Sequence, residues 1–294
     1  MIIRRATSDS DLEAWRRVRM AVVPNERAPS VEELRRTETP DRLLLVAELD
    51  GELAGSGFAS RSDMGGLGSL APRVLPEARR RGVGTALVRA LAAHVSALGF
   101  TEANAIIEDE ASLAFAERLG WRAVDRQVEQ VRTLGREEPA RAPDGVELVS
   151  LAERPDLGDA VYTQVAVEAL EDIPVSPPLE VSLESWLREW VSLPEGTFVA
   201  LADGEVVGCA GLMRDGDNPE RAEHSLTAVR RDRRGHGIAK ALKQATIAWA
   251  AENGIRELYT WTQRGNERMR GLNERLGYVV RSWCTTVRGP VRLR

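Results

Sequence analysis

The chain has 294 residues, 43% hydrophobic and 29% charged, with a formal net charge of -5; that is longer than one domain of about 100–200 residues, apolar enough for sizeable cores, and too acidic for a general nucleic-acid-binding surface. Two cysteines, Cys209 and Cys284, and three scattered histidines, His94, His224 and His236, exclude a disulfide framework and a multi-histidine metal centre and leave the thiols as small buried side chains. The opening MIIRRATSDSDLEAW has no apolar signal core and no run approaches the roughly 18 apolar residues of a spanning segment, so a cytoplasmic protein with no membrane partner is expected.

In chain order, Ile2 and Ile3 mark a short strand and 11–22 an amphipathic helix. Residues 43–49 and 52–59 flank Asp50-Gly51, a pair that predicts a β-hairpin turn. A strand over 67–75 leads into a glycine-bearing turn. A helix follows from about 83 to 98, with Val83, Leu87, Ala90, Leu91 and Leu98 on one face and Gly99 as its stop. Residues 103–107 read as a strand, 111–119 as a helix and 124–131 as a closing strand. Residues 134–145 hold two prolines, two glycines and several charges, which suits an exposed connector. The order then repeats. Residues 198–202 and 205–212 flank Asp203-Gly204, 225–229 is a strand, and 238–252 is a helix closed by Asn253-Gly254. Residues 258–262 form a strand, 266–276 a helix and 278–287 the closing strand.

The repetition is also literal. Arg79-Arg80-Arg81-Gly82-Val83-Gly84 reads R-x-x-G-x-G, and Arg234-Gly235-His236-Gly237-Ile238-Ala239, 155 positions on, reads R-x-x-G-x-A. Glu117-Arg118-Leu119-Gly120-Trp121 is matched 157 positions later by Glu274-Arg275-Leu276-Gly277-Tyr278. A period this long is too large for a solenoid and marks a duplicated domain. The expectation is two tandem α/β domains, 1–136 and 145–294, each a mixed and mostly antiparallel sheet flanked by helices.

A strand running into R-x-x-G-x-G/A and then a helix is a device for holding an anion. The first helical turn leaves N–H groups without intrahelical partners, the helix dipole adds positive character, and glycine lets the backbone come close to a ligand. A phosphate is the usual guest. The plainer alternative is a helix start with solvated arginines. Neither copy carries G-x-x-x-x-G-K-[ST], which disfavours an NTPase, and neither has G-x-G-x-x-G after an early strand, as a dinucleotide fold would.

The runs 74–87 and 227–242, with the endings 115–121 and 272–278, resemble the GCN5-related N-acetyltransferases over nearly the whole chain, as a tandem two-domain member. The resemblance implies acetyl-CoA as cosubstrate, its pyrophosphate on the backbone around Arg234, Gly235, His236, Gly237, Ile238 and Ala239. The equivalent residues of the first copy are Arg79, Arg80, Arg81, Gly82, Val83 and Gly84. It implies that the strand before the motif, with Thr227 and Val229 in the second copy and Arg73 and Val74 near that place in the first, pairs with the pantetheine arm. Asn266 matches an asparagine that many members use for pantetheine.

Attack on a thioester needs an amine without its extra proton, so a base is expected. Glu223 and His224 precede the key strand of the second copy and are the candidates. Alternation places Glu223, Ser225, Thr227 and Val229 on one face and His224 on the other, provided the strand has no bulge. A solvated carboxylate and a surface histidine are the competing readings. Many members place a tyrosine, the thiolate's proton donor, where this chain has Asn273 and Ala116, which puts general-acid catalysis in doubt. The first copy departs further, with Asp109 at the place of Asn266 and no carboxylate close before its strand except Asp63. CoA binding and a purely structural role both stay open for it.

Trp186 and Trp190 fall four apart on one helical face and read as core. Residues 168–180 read as a loop bordering the acceptor site, with Glu171 and Asp172 either suited to a cationic amine or simply solvated. The leading reading is an N-acetyltransferase acting on a small-molecule primary amine, in a monomer or homodimer, catalysis lying in the second copy. The alternatives are a non-catalytic acyl-CoA-binding or sensing module and a protein or peptide N-acetyltransferase. Tandem members also include mycothiol-type synthases, a match the absent tyrosine weakens.

Overall fold

The computed structural model describes residues 1–216 and 218–292. It divides into two compact units, Met1–Arg126 with the chain from Cys284 onward, and Gln127–Trp283. Among the described residues no helix is long and apolar enough to cross a membrane, and no group of three or more His, Cys, Asp or Glu could hold a metal ion.

Unit 1 begins with β1 (Ile2–Arg5), α1 (Asp9–Val22), α2 (Val31–Arg36), β2 (Leu43–Leu49) and β3 (Glu52–Arg61). Ser8 and Ser30 open the two helices with reciprocal capping boxes to Asp11 and Glu33. Asp50 and Gly51 both take positive φ, 56° and 88°, the geometry a two-residue hairpin turn requires. Next come β4 (Gly68–Val74), α3 (Val83–Ala97), β5 (Glu102–Ile107) and α4 (Glu110–Arg118). The sheet runs β1-β2-β3-β4-β5 and is antiparallel except for β4–β5. Alternate residues of β2 serve the two faces: Leu45 and Ala47 pack with Leu87 and Leu91 of α3, while Leu44 and Val46 pack with Leu12 and Trp15 of α1. Leu87 and Leu91 are fully buried, each stabilising by about 1.5–3 kcal/mol over exposure.

Unit 2 starts within β6 (Arg122–Thr133) and continues through the connector to β7 (Val146–Ser150), α5 (Gly158–Val161) and α6 (Val167–Glu171), with a π-helical turn, Tyr162–Ala166, between the two helices. After α7 (Leu183–Ser185) and a second π turn, Trp186–Trp190, come β8 (Phe198–Ala202), β9 (Glu205–Arg214), β10 (Arg221–Val229), α8 (Ile238–Glu252), β11 (Glu257–Gln263), α9 (Glu267–Arg275) and β12 (Val279–Pro290). The order is β6-β11-β10-β9-β8-β7, with β10–β11 parallel and the rest antiparallel. Val199, Leu201, Val206 and Cys209 face the α5–α7 side; Ala200, Ala202, Val207 and Ala210 face α8. Both cysteines are buried and neither forms a disulfide.

The fold class is as expected, but the units do not follow the connector. β5 of unit 1 pairs with 285–290 from the end of the chain, and β11 of unit 2 pairs with 127–133 from the first copy. Each copy's closing strand therefore completes the other copy's sheet. Residues 168–171 are helical rather than loop, because the helix continues through its π turn before Pro174 stops it. Trp186 is buried and stacks on Trp190 at 5.8 Å between centroids, in the core as read.

Candidate active site

The site is built on β10. Its parallel ladder with β11 holds only Arg221, Ala222 and Glu223, opposite Glu257, Leu258 and Tyr259. Past that point no β10–β11 pairing is made among the described residues, so the β11-side edge of β10 from Ser225 to Val229 has no strand partner.

Against β9 the register shifts between His224 and Thr227: Ser225 and Leu226 stand opposite the single residue Gly211. This is a β-bulge, and it inverts the facing of everything after it. A Cβ at Gly211 would lie 2.5 Å from Ser225 Oγ, so the missing side chain makes room for the bulge. Ala222 packs with Ile247 and Ala250 of α8, whereas Leu226 and Ala228 pack with the α5–α6 helix and Val229 with Ile238 and Leu242. Simple alternation is thereby corrected. Glu223 points to the α5–α7 side, and Thr227 and Val229 to the α8 side.

Glu223 is half-buried and its Oε2 accepts from the Tyr259 hydroxyl at 3.4 Å. The guanidinium of Arg221 lies 4.4 Å from the Tyr259 ring centre and bonds Glu257 at 2.8 Å. Arg281 bridges Glu257 and the fully buried Glu129, which also accepts from Ser282 at 2.7 Å. Tyr259 and this carboxylate–guanidinium network were missed in the sequence. The signal for Tyr259, its register opposite Glu223, exists only once the strands are paired.

His224 is buried, not a surface histidine. Its Nε2 is 2.5 Å from the Tyr278 hydroxyl, and the amine of Lys243, itself 1% exposed, lies 5.3 Å from the Tyr278 ring centre. Burial, then the charge of Lys243, pushes the imidazole well below its usual range, and burial brings the Lys243 amine down to about 7. Three buried polar atoms on this face lack a protein partner: His224 Nδ1, Thr227 Oγ1 and Asn273 Oδ1. Asn273 is otherwise held in an amide cluster, donating to Gln130 Oε1 at 3.0 Å. Asn266 stands at the start of α9 without a side-chain cap bond, so its amide is not used by the helix.

β10 then turns into α8. Gly235 and Gly237 take φ of 84° and 82°, and Gly237 caps α8 without a side-chain bond. A Cβ at Gly235 would meet nothing within 4 Å. Glycine is thus required there by backbone conformation, not packing, and the first-turn amides of α8 have no side-chain cap. Ile238 is buried, Ala239 half-buried and His236 exposed. Arg234 donates its Nε to the Val229 carbonyl at 2.8 Å, bracing the strand end. The acids Glu171 and Asp172, read as acceptor contacts or solvated, are exposed and also paired with arginines. Asp172 bonds Arg231 at 2.6 Å and Arg234 at 2.7 Å, Glu171 reaches Arg231 at 3.4 Å, and Glu168 accepts from the Arg231 amide at 2.6 Å. Arg231, with Arg234, holds the Asp172 carboxyl below the ordinary carboxylate range.

In unit 1 the same turn is present: Gly82 caps α3 at φ 87°, Arg80 takes φ 62°, Arg79 Nε reaches the Val74 carbonyl at 3.3 Å, and Arg81 pairs with Asp50. Val83 is buried, and Gly84 lies 3.6 Å from Val74 by its would-be Cβ. β4, however, runs against β3 in unbroken register. Its Arg73 is buried, within 3.4 Å of Glu26, and Glu26 also pairs with Arg19 at 2.7 Å. Asp109 caps α4 through Ser112 at 2.8 Å, which accounts for a carboxylate where the second copy has Asn266.

The model of the acetyltransferase (GNAT) family matches residues 8–121 and 164–278. The mycothiol acetyltransferase of Catenulispora acidiphila is 26% identical over 242 residues, 79% of this chain and 75% of that protein. That of Brachybacterium faecium is 29% identical over 223 residues, 73% and 66%. Among solved structures, a GCN5-related N-acetyltransferase from Sphaerobacter thermophilus superposes with a TM-score of 0.72 at 24% identity, covering 99% of this chain and 96% of that one. A tandem GNAT protein from the clavulanic acid biosynthesis pathway gives 0.77 at 19% identity, covering 100% and 98%. With both copies matched, the chain is an acyltransferase and belongs to the acetyltransferase (GNAT) family as a tandem member.

Proposed function

We propose that unit 2 transfers an acetyl group from acetyl-CoA to the primary amine of a small molecule by direct attack on the thioester. The observation that carries this reading is the stretch of β10 left unpaired by β11, running straight into a glycine turn that opens α8 without a side-chain cap. The residues fit the cosubstrate. The backbone from Arg234 through Gly235, His236, Gly237 and Ile238 to Ala239 would hold the pyrophosphate. The edge at Thr227–Val229 and the amide of Asn266 would hold the amide-bearing arm. The orphaned Thr227 Oγ1, His224 Nδ1 and Asn273 Oδ1 are buried atoms that a polar ligand beside them would satisfy. When bound, acetyl-CoA supplies the activated acyl carbon.

The chain's own part is positioning and proton transfer. Glu223, on the α5–α7 side, takes the amine proton, and the Tyr259 hydroxyl orients its carboxylate. His224, buried and neutral, serves the opposite side. Unit 1, with Val74 and Arg79 to Gly84, would offer a second anion cradle without transfer. The acceptor is a small molecule bearing a primary amine, a broader class than the one acceptor for which the mycothiol acetyltransferases are named. We place the protein in the cytoplasm, a setting that two buried cysteines outside any disulfide suit.

A binding-only role is favoured by one observation, the tying of Asn273 into an amide cluster where it cannot donate to a thiolate. Release of free thiol from acetyl-CoA across an amine panel decides between the two. Transfer predicts turnover, with Glu223→Gln lowering kcat by about 10²–10⁴-fold while leaving the KM for acetyl-CoA unchanged. CoA binding without thiol release from any amine or peptide would establish the binding module instead.

A further inference from the structure

The connector between the copies is not merely a tether. Its residues Glu138, Pro139, Arg141, Ala142 and Pro143 form one wall of a cavity of about 280 Å³, and Gly237, Lys240 and Gln244 of α8 form the other. Those three recur every third or fourth residue, so they make one stripe of the helix beginning at its cap. A Cβ at Gly237 would stand 3.8 Å from Pro143 Cγ, which sets the connector directly beside the turn assigned to the pyrophosphate.

Two of the lining side chains are cations, Arg141 and Lys240, and neither is engaged in an ion pair among the described residues. This contrasts with Arg231 and Arg234 across the turn, which are already matched by Glu168, Glu171 and Asp172. Glu138 is the one carboxylate on the lining, which leaves it net positive. The volume is too small for a whole dinucleotide-sized ligand, and it suits a phosphorylated ribose. An anion held on the Gly237 turn would extend one end into it.

We propose that this cavity binds the 3′-phosphate end of CoA, with Arg141 as a forked donor and Lys240 as a point charge on the phosphate, so that the connector makes unit 2 select CoA over its 3′-dephospho form. The inference rests on the proposed acetyl-CoA site and adds the selectivity.

Calorimetric titration of the full chain with CoA and with 3′-dephospho-CoA tests it. The expected result is tighter binding of CoA by about tenfold or more, the scale of a charge-assisted phosphate contact. Arg141→Gln and Lys240→Gln should each pull that ratio toward one while leaving dephospho-CoA affinity unchanged, and Glu138→Gln should raise it. Arg141 is exposed, so its substitution does not threaten folding. Equal binding of the two ligands by the unaltered chain, or a ratio indifferent to Arg141→Gln, overturns the selectivity and leaves the acetyl-CoA site standing. Binding of neither ligand overturns both.

Discussion

The two copies share a hairpin, a glycine turn and a helix start, yet the strand ahead of the turn is built differently in each. In unit 1 β4 keeps its register with β3, and its buried Arg73 is matched by Glu26 and lies 5.9 Å from the Trp15 ring centre. In unit 2 β10 bulges opposite Gly211, and the position equivalent to Arg73 is Ala228. The helical side differs in the same sense. Unit 1 presents Leu70, Val88 and Trp121 where unit 2 has His224, Lys243 and Tyr278, and all six are buried. Buried polar atoms without a protein partner occur in both units, Arg73 Nη1 and Trp121 Nε1 among them in unit 1; what differs is that unit 2 gathers a histidine, a lysine and a tyrosine at these three positions. Shared outline thus says little about shared chemistry; the side chains along one strand decide it.

The sharpest way to break this comparison is to damage the same turn twice. Gly237→Val forces a β-branched residue into left-handed backbone, and we expect thiol release to fall by about 10³-fold as the amides turn away. Gly82→Val should leave turnover within about twofold per folded molecule, because the cost there is conformational only. Equal losses would show unit 1 to be catalytic.

Next in size is the packing of unit 1. Arg73→Ala strands Glu26 with one partner fewer in a buried setting and should lower unfolding free energy in denaturant melts by about 3 kcal/mol, with turnover per folded molecule unchanged.

Third is a pH effect confined to unit 2. The Lys243 amine titrates near 7 when folded and at its ordinary value, 10.5, when unfolded. Above pH 7 the unfolded chain keeps a proton that the folded chain has released, so stability rises with pH; below pH 7 both hold it and the dependence is flat. The rise should be about 1.4 kcal/mol per pH unit at most, or roughly 2 kcal/mol between about pH 7 and 8.5. Lys243→Met, which gives unit 2 the apolar character of Val88, should raise the melting temperature at pH 7 and flatten that rise. An unaltered pH profile in the variant would show that the amine is not buried as described.

The smallest effect concerns the exposed latch. Asp172→Asn releases Arg231 and Arg234 toward a bound pyrophosphate. Exposed pairs are worth about 0.2–1 kcal/mol, so CoA affinity should tighten by only about twofold in low salt and not at all in high salt. A weakening would show that Asp172 positions the arginines for the ligand.

What could be read from the sequence was whatever depends on near neighbours. Asp50-Gly51 and Asp203-Gly204 announced both hairpins because positive φ at two successive positions is demanded by so tight a turn. Gly82 and Gly237 announced the caps of α3 and α8 for a related reason. Facing along β10 could not be read, because a bulge is a relation between two strands, and the cue, Gly211, lies on the other one. Glu171 and Asp172 looked like free acids because their partners, Arg231 and Arg234, are about 60 positions away. Lys243 was silent, since nothing in its immediate neighbours tells a solvated lysine from one 1% exposed.

The exchange of closing strands has a consequence for how the protein is made. Thr285 pairs with Ile107 and Gln130 with Thr260, so neither sheet is complete until almost the whole chain has left the ribosome. Contacts at such separation slow folding, and the first half must wait with β5 paired on its β4 edge alone. A cut at the connector would separate no independent halves: each fragment would carry away a strand that the other needs.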